Sequence, residues 1–328
     1  MAKLPPENIY IPSLETNMFL HELPDAKDLL MVISEEKGIS PSIVEKDYWV
    51  MHALWGLQQQ HDFELKGGTS LSKGFNLINR FSEDIDVQVH PKPELNLKIG
   101  KNHDKASHIE ARSLFFDDVS DKLTIQDLSF SRDHEFDDKK MRSAGIRGQY
   151  ISHFEPLKAL KEGILFEMGF DKTTPYEEKD ISSWAYDKLI TSGIKVFDNR
   201  ALKVKCYYPE YTFVEKLQTI STKYRKNKAE KITSPVNFIR HYYDVYMLLQ
   251  DERIVDFIST KDYKTYKSEK FGRDDELDLC KNPAFLLSES GELDTFSKLY
   301  DQKSEIYFGN HPQFSEIIEL IKQFSTKI

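Results

Sequence analysis

The sequence predicts an α/β fold whose larger N-terminal part holds strands and whose remainder is helical, and three observations carry that reading. Residues 61–65 alternate and run into the pair Gly67 and Gly68, after which Leu71, Phe75 and Ile78 take up helical spacing: strand, turn, helix. Asp84–Val89 alternates again, the mark of a strand. From Tyr211 onward the strand signals stop and helices follow.

Ahead of this core, residues 40–60 read as an amphipathic helix. Ser40 and Pro41 have N-cap and first-turn chemistry, Ser42 and Glu45 repeat the capping-box spacing, and Val44, Tyr48, Met51 and Trp55 recur at helical intervals. Residues 104–122 have helical character, and the charged stretch 131–148 reads as a long hairpin or a mobile loop. "GILFEMGF" (163–170) and "LKVKCYYPE" (202–210) are strand candidates, the first buried on at least one face. The clearest helices are "FVEKLQTISTKYRKN", "SPVNFIRHYYDVYMLLQ" and "PQFSEIIELIKQF", the last with Phe314, Ile317, Ile318 and Ile321 on one stripe. The expected division is 1–210, with a helical lead-in, and 211–328, a helical domain.

A chain of 328 residues exceeds what one core usually serves, which favours two domains or one with an appendage. Thirty per cent charged residues and no stretch near about eighteen apolar residues argue against a membrane protein, and the first residues lack a signal-peptide core. The 2 cysteines, Cys206 and Cys280, lack zinc-ligand spacing and imply a reducing cytoplasm. With a net charge of −9, nucleic acid must be met by a local basic patch. Residues 222–231 supply a candidate, with Lys223, Arg225, Lys226, Lys228 and Lys231 around Tyr224.

The chemistry concentrates in "FELKGGTSLSKGFNLINRFSEDIDVQV". On a strand, Asp84 and Asp86 share a face roughly 6.6 Å apart, so both carboxylates can aim at one point while Ile85 and Val87 face the core. Their mutual repulsion is relieved by a divalent cation, and magnesium held with substrate phosphates is the usual partner. Gly67 and Gly68 let the backbone approach an anion where Thr69 and Ser70 open a helix. A glycine turn or a D-x-D alone is weak; in succession they set phosphate donors beside metal ligands.

Further candidates surround this core. Glu167, a lone carboxylate in "ILFEMGF", is the third acid for metal or proton transfer, with an edge-strand glutamate facing water as the plain alternative and Asp171 and Glu162 as rivals. Lys66 is spaced to reach a phosphate or the aspartates. Arg240 and Asp244 share a helix face, where an intrahelical ion pair is the economical expectation and a site role, nucleotide binding for Arg240, carries equal weight.

"EKDYWV", "KGGTSL", "RFSEDIDV", "EKLQTI" and "RHYYDVYML" together resemble the AbiEii/AbiGii-type toxin family, within the polymerase-beta-like nucleotidyltransferase superfamily, over residues 45–248. The resemblance implies a mixed-sheet nucleotidyltransferase core, a nucleoside triphosphate substrate, and a toxin restrained by a separate antitoxin, with the 3′ end of tRNA as acceptor. It also implies that Lys216 approaches the nucleotide phosphates and that Asp244 orients Lys216 or another site group. His241 stands where the family more often has aspartate and receives no role, and residues beyond 250 carry no matched motif.

The expected protein is therefore a magnesium-dependent nucleotidyltransferase acting on RNA. Its rivals are nucleotidylation of a protein hydroxyl and a catalytically silent nucleotide-binding regulator.

Overall fold

The structure is a computed structural model that describes residues 18–328 apart from 101, 156, 158, 159, 172, 174, 231–237 and 310. Lys231 and the first residues of the helix expected from 234 lie outside the described residues, as does nearly all of the N-terminal stretch read for a signal.

Two helices, α1 (Ala26–Lys37) and α2 (Pro41–Gln58), lead into β1 (Phe63–Lys66), the short turn α3 (Gly67–Thr69) and a wider π-turn, Ser70–Gly74. Then come β2 (Asp84–Val89), α4 (Ala106–Lys122), β3 (Ser129–Asp133), β4 (Ser143–Gln149), β5 (Ile164–Gly169), β6 (Tyr176–Ile181), α5 (Trp184–Thr191) and β7 (Ala201–Tyr207). The strands form one mixed sheet ordered β3-β4-β5-β2-β1-β7-β6. The central strand β2 runs antiparallel to β1 and parallel to β5, so Asp86 lies opposite Lys66 on one side and Glu167 on the other.

Several local expectations change in the fold. Helix α2 is buried nearly all round, not along one stripe, because it lies between the sheet and α1 and α5. The capping box does not form: Ser40 makes no cap bond, Ser42 donates to the Glu155 carbonyl, and Glu45 accepts from Ser152 and the His153 amide. The helix expected through Ile78 stops at Gly74, where the Phe75 amide closes on the Ser70 carbonyl at 3.1 Å and Asn76 turns left-handed, φ 55°. Residues 131–148 are ordered as the β3–β4 hairpin. The charged edge strand β6 and helices α1 and α5 were not expected from the sequence, although α1 buries Ala26, Leu30 and Ile33 at helical spacing.

After β7 the described elements are helical: α6 (Pro209–Ala229), α7 (Ile239–Leu248), α8 (Glu252–Ile258), α9 (Lys261–Lys270), α10 (Pro283–Leu286), α11 (Glu292–Asp301) and α12 (Phe314–Phe324). Tyr242 of α7 anchors them, its ring meeting Phe238, Phe285, Phe296 and Phe314. The last third of the chain also reaches back to the sheet. Arg80 pairs with Tyr307 in an antiparallel bridge, the Phe81 amide donates to the Ile306 carbonyl at 2.7 Å, and the Phe308 amide donates to the Asn79 carbonyl at 2.8 Å.

Candidate active site

A cleft opens between the ends of the central strands β1 and β2 and helices α6 and α7. Its lining comprises Lys66, Gly67, Gly68, Arg80, Ser82, Asp84 and Asp86 on the sheet side, and Thr212, Glu215, Lys216, Thr219, Arg240 and His241 on the helix side. The α6 contributors recur every three to four residues, so one helix face forms that wall.

The glycine turn is required by contact as well as conformation. Gly67 has φ +72°, and a Cβ there would sit 2.0 Å from Asp86 Oδ2. At Gly68 a Cβ would come within 2.5 Å of Ser82 Oγ and 2.8 Å of Arg80 Nη2. The neighbouring hydroxyls turn inward: Thr69 donates to the Asp84 carbonyl at 2.5 Å, and Ser70 is fully buried, so neither side chain lines the cleft.

Three carboxylates gather on β2 and β5. Asp84 is 4% exposed; its Oδ2 meets Lys161 Nζ at 2.7 Å and Arg240 at 3.6 Å, whereas its buried Oδ1 has no hydrogen-bond partner. Burial and then the Asp84 charge raise the Asp86 carboxyl, against Lys66, Arg240 and Lys216. Glu167 keeps 39% of its side chain accessible, yet burial followed by Asp86 and Asp84 lifts its carboxyl to about 7. Of its sequence rivals, exposed Asp171 pairs with Lys66 at 3.2 Å and Glu162 points to solvent. Lys66 stays above its usual range: burial pulls it down, but Glu215, Asp171 and Asp86 outweigh that.

The helix side is organised by Asp244, which is completely buried. It accepts from Arg80 Nε at 2.6 Å and Nη2 at 2.9 Å, and it meets Lys216 Nζ at 2.7 Å. Burial alone would raise this carboxyl, but Arg80 and Lys216 hold it well below the usual carboxylate range. The expected Arg240–Asp244 pair is therefore replaced: Asp244 faces Arg80 and Lys216, while Arg240 reaches across the cleft toward Asp84. Burial and the Lys216 charge push His241 down to about 3, so a neutral imidazole sits 3.5 Å from Lys216 Nζ.

Two members of the basic run are paired within the chain. Arg225 pairs with Asp275, Lys228 with Glu289 and Glu292, and the Tyr224 ring is buried with its hydroxyl on Glu292, so it offers no stacking face. Lys223 is exposed and does not line the cleft; its ammonium is pulled down by desolvation first and then by Arg240, against Glu167.

The donor set fits a divalent cation: hard carboxylate oxygens repelling one another, with one buried oxygen unsatisfied. Among the described residues no three ligating side chains already close on a point. Magnesium needs no such cage, because it retains waters and takes one or two carboxylates together with substrate phosphates.

Glycines, acids and cations thus meet in one cleft, and the family model for the "Nucleotidyl transferase AbiEii toxin, Type IV TA system" matches residues 49–318. The chain belongs to the AbiEii family. It is a nucleotidyltransferase, a toxin of the type IV toxin–antitoxin class, which implies a nucleotide substrate and an antitoxin partner. Among curated proteins, no relative is matched. No helix among the described residues is long and apolar enough to cross a membrane.

The AbiEii match extends through the helices beyond 250, where sequence reading found no motif. The cleft also contains residues that reading passed over: Arg80, Ser82, Thr212, Glu215, Thr219 and, against Asp84, Lys161. Arg80 stood inside "RFSEDIDV", but nothing in its spacing announced that it would be buried against a helix 164 positions away.

Proposed function

We propose that this AbiEii-family enzyme moves a nucleotide, with magnesium, from a nucleoside triphosphate to an RNA hydroxyl, the 3′ end of tRNA being the acceptor. The cytoplasm is its place of action, and residues 1–210 and 211–328 act as two domains across the cleft. The observation that carries this reading is the contact between the Gly67 turn and Asp86, which sets an anion-accepting backbone against an acidic pair. The tRNA acceptor follows the activity that the family resemblance implies.

In this mechanism Gly67 and Gly68 admit the triphosphate against the backbone. Lys66, Lys216 and Arg240 face the charge that develops on it, and Asp244 keeps the Lys216 ammonium aimed and charged. Asp84 and Asp86, with Glu167 beside them, would hold magnesium, which would supply charge neutralisation at the phosphates. Glu167 Oε, beside Asp84 and Asp86, takes the proton as the acceptor oxygen bonds to the α-phosphorus and the bond to pyrophosphate breaks.

Purified protein incubated with each labelled nucleoside triphosphate, magnesium and either total RNA or lysate protein tests the reading. Label on RNA is expected. Label on protein alone transfers the reading to protein nucleotidylation, and no label on either defeats transfer. Asp86→Ala should lose both labelling and growth inhibition while keeping its thermal transition; an equally toxic variant removes the catalytic assignment.

A further inference from the structure

Lys161 lies just before β5, outside every motif singled out in the sequence, and its main chain is held on both sides. The backbone N–H donates to Glu83 Oε2 at 2.7 Å, and the carbonyl accepts from Lys46 Nζ. Lys46 and Glu83 are themselves an ion pair at 2.7 Å, with side chains 3% and 10% exposed. Burying such a pair carries a desolvation cost that extra hydrogen bonds must offset, and the main chain of residue 161 provides them on both members. The side chain then crosses the Phe136 ring, with Nζ 4.9 Å from its centroid, and ends 2.7 Å from Asp84 Oδ2 and 4.0 Å from Glu167 Oε1.

We propose that Lys161 is a built-in counter-cation: its ammonium occupies Asp84 Oδ2 in the free enzyme and exchanges places with the divalent cation that arrives with the nucleotide. This rests on reading Asp84 and Asp86 as metal ligands. An ammonium and a divalent ion compete for the same oxygen and repel each other at that range. The side chain is 32% exposed, so its tip can leave while the clamped backbone stays. Once released, it adds a positive charge facing the donor's phosphates. The device quiets the repulsion among three carboxylates before substrate binds and makes the cation bind poorly without nucleotide.

The test is Mn2+ binding without nucleotide, read from the electron paramagnetic resonance of the free ion, for wild type, Lys161→Met and Asp86→Asn. Lys161→Met should bind Mn2+ at least tenfold more tightly than wild type, and Asp86→Asn should remove the binding. Equal or weaker affinity in Lys161→Met, with binding still lost in Asp86→Asn, overturns the exchange and leaves the metal reading intact. Binding unchanged in Asp86→Asn, or absent from wild type and Lys161→Met alike, overturns both. Lys161→Gln, which like Lys161→Met keeps the main-chain clamp, must move affinity in the same direction if Lys161→Met does not fold.

Discussion

Replacing Asp244 by asparagine keeps the side chain's shape and removes the charge that Arg80 and Lys216 share. Those cations are 2% and 5% exposed, and Asp244 meets them through contacts of 2.6, 2.9 and 2.7 Å. Deleting one member of a buried pair leaves its partner as an uncompensated charge, a loss of roughly 3–5 kcal/mol. Here two cations are stranded together, so the upper end of that range applies. Lys216, already pulled down by burial, loses its main support and gives up its proton more readily. Urea unfolding followed by tryptophan fluorescence should show the loss, and heating should lower Tm by roughly 4–7 °C. Asp86→Asn supplies the contrast: its carboxyl is raised in the folded chain, so its ionised form opposes folding and its removal should be neutral or stabilising. An Asp244→Asn variant within about 1 kcal/mol of wild type would refute the argument, because Arg80 and Lys216 would then have found other partners.

Other outcomes follow from the same geometry. Gly67→Ala, with φ +72° and a Cβ 2.0 Å from Asp86 Oδ2, should cut transfer by about a hundredfold or more, read as kcat on labelled triphosphate. Tyr307→Ala removes ring contacts at 4.6 Å with Tyr243 and 5.0 Å with Tyr300, and loosens the bridge to Arg80. It should therefore lower Tm and transfer activity together, although Tyr307 does not line the cleft. His52, fully buried, has its imidazole pushed down to about 4, mainly by burial. The folded pKa lies below the unfolded one, so its contribution is complete above about pH 6.5 and is lost as pH falls toward 4. Denaturation at pH 7 and pH 5 should differ by about 2 kcal/mol from this group, and His52→Gln should shrink that difference.

The strand–turn–strand core was legible because its signals are local. Alternation exposed β2, and a glycine pair between a strand and apolar helical spacing marked the turn. Other elements were hidden for physical reasons. The β6 segment "YEEKDI" has a mostly exposed, charged face and no hydrophobic alternation. The spacing of Leu71, Phe75 and Ile78 suggested a helix that Gly74 and the left-handed Asn76 end early. The basic run gave a local charge count, but Asp275, Glu289 and Glu292, which pair with Arg225 and Lys228, lie far along the chain.

The sequence by itself determined the chemical inventory: two aspartates on one face of a strand, a turn only glycine can make, and lysines and acids able to serve a phosphate. Side-chain period and backbone permissiveness act over a few residues, so they can be read from neighbours. Tertiary structure decided the pairings. It matched Asp244 with Arg80 and Lys216 instead of Arg240, turned Thr69 and Ser70 inward, and brought Lys161 to Asp84 and Tyr307 to Arg80. Those choices depend on which charges become buried together once distant segments pack, and burial is a property of the whole chain.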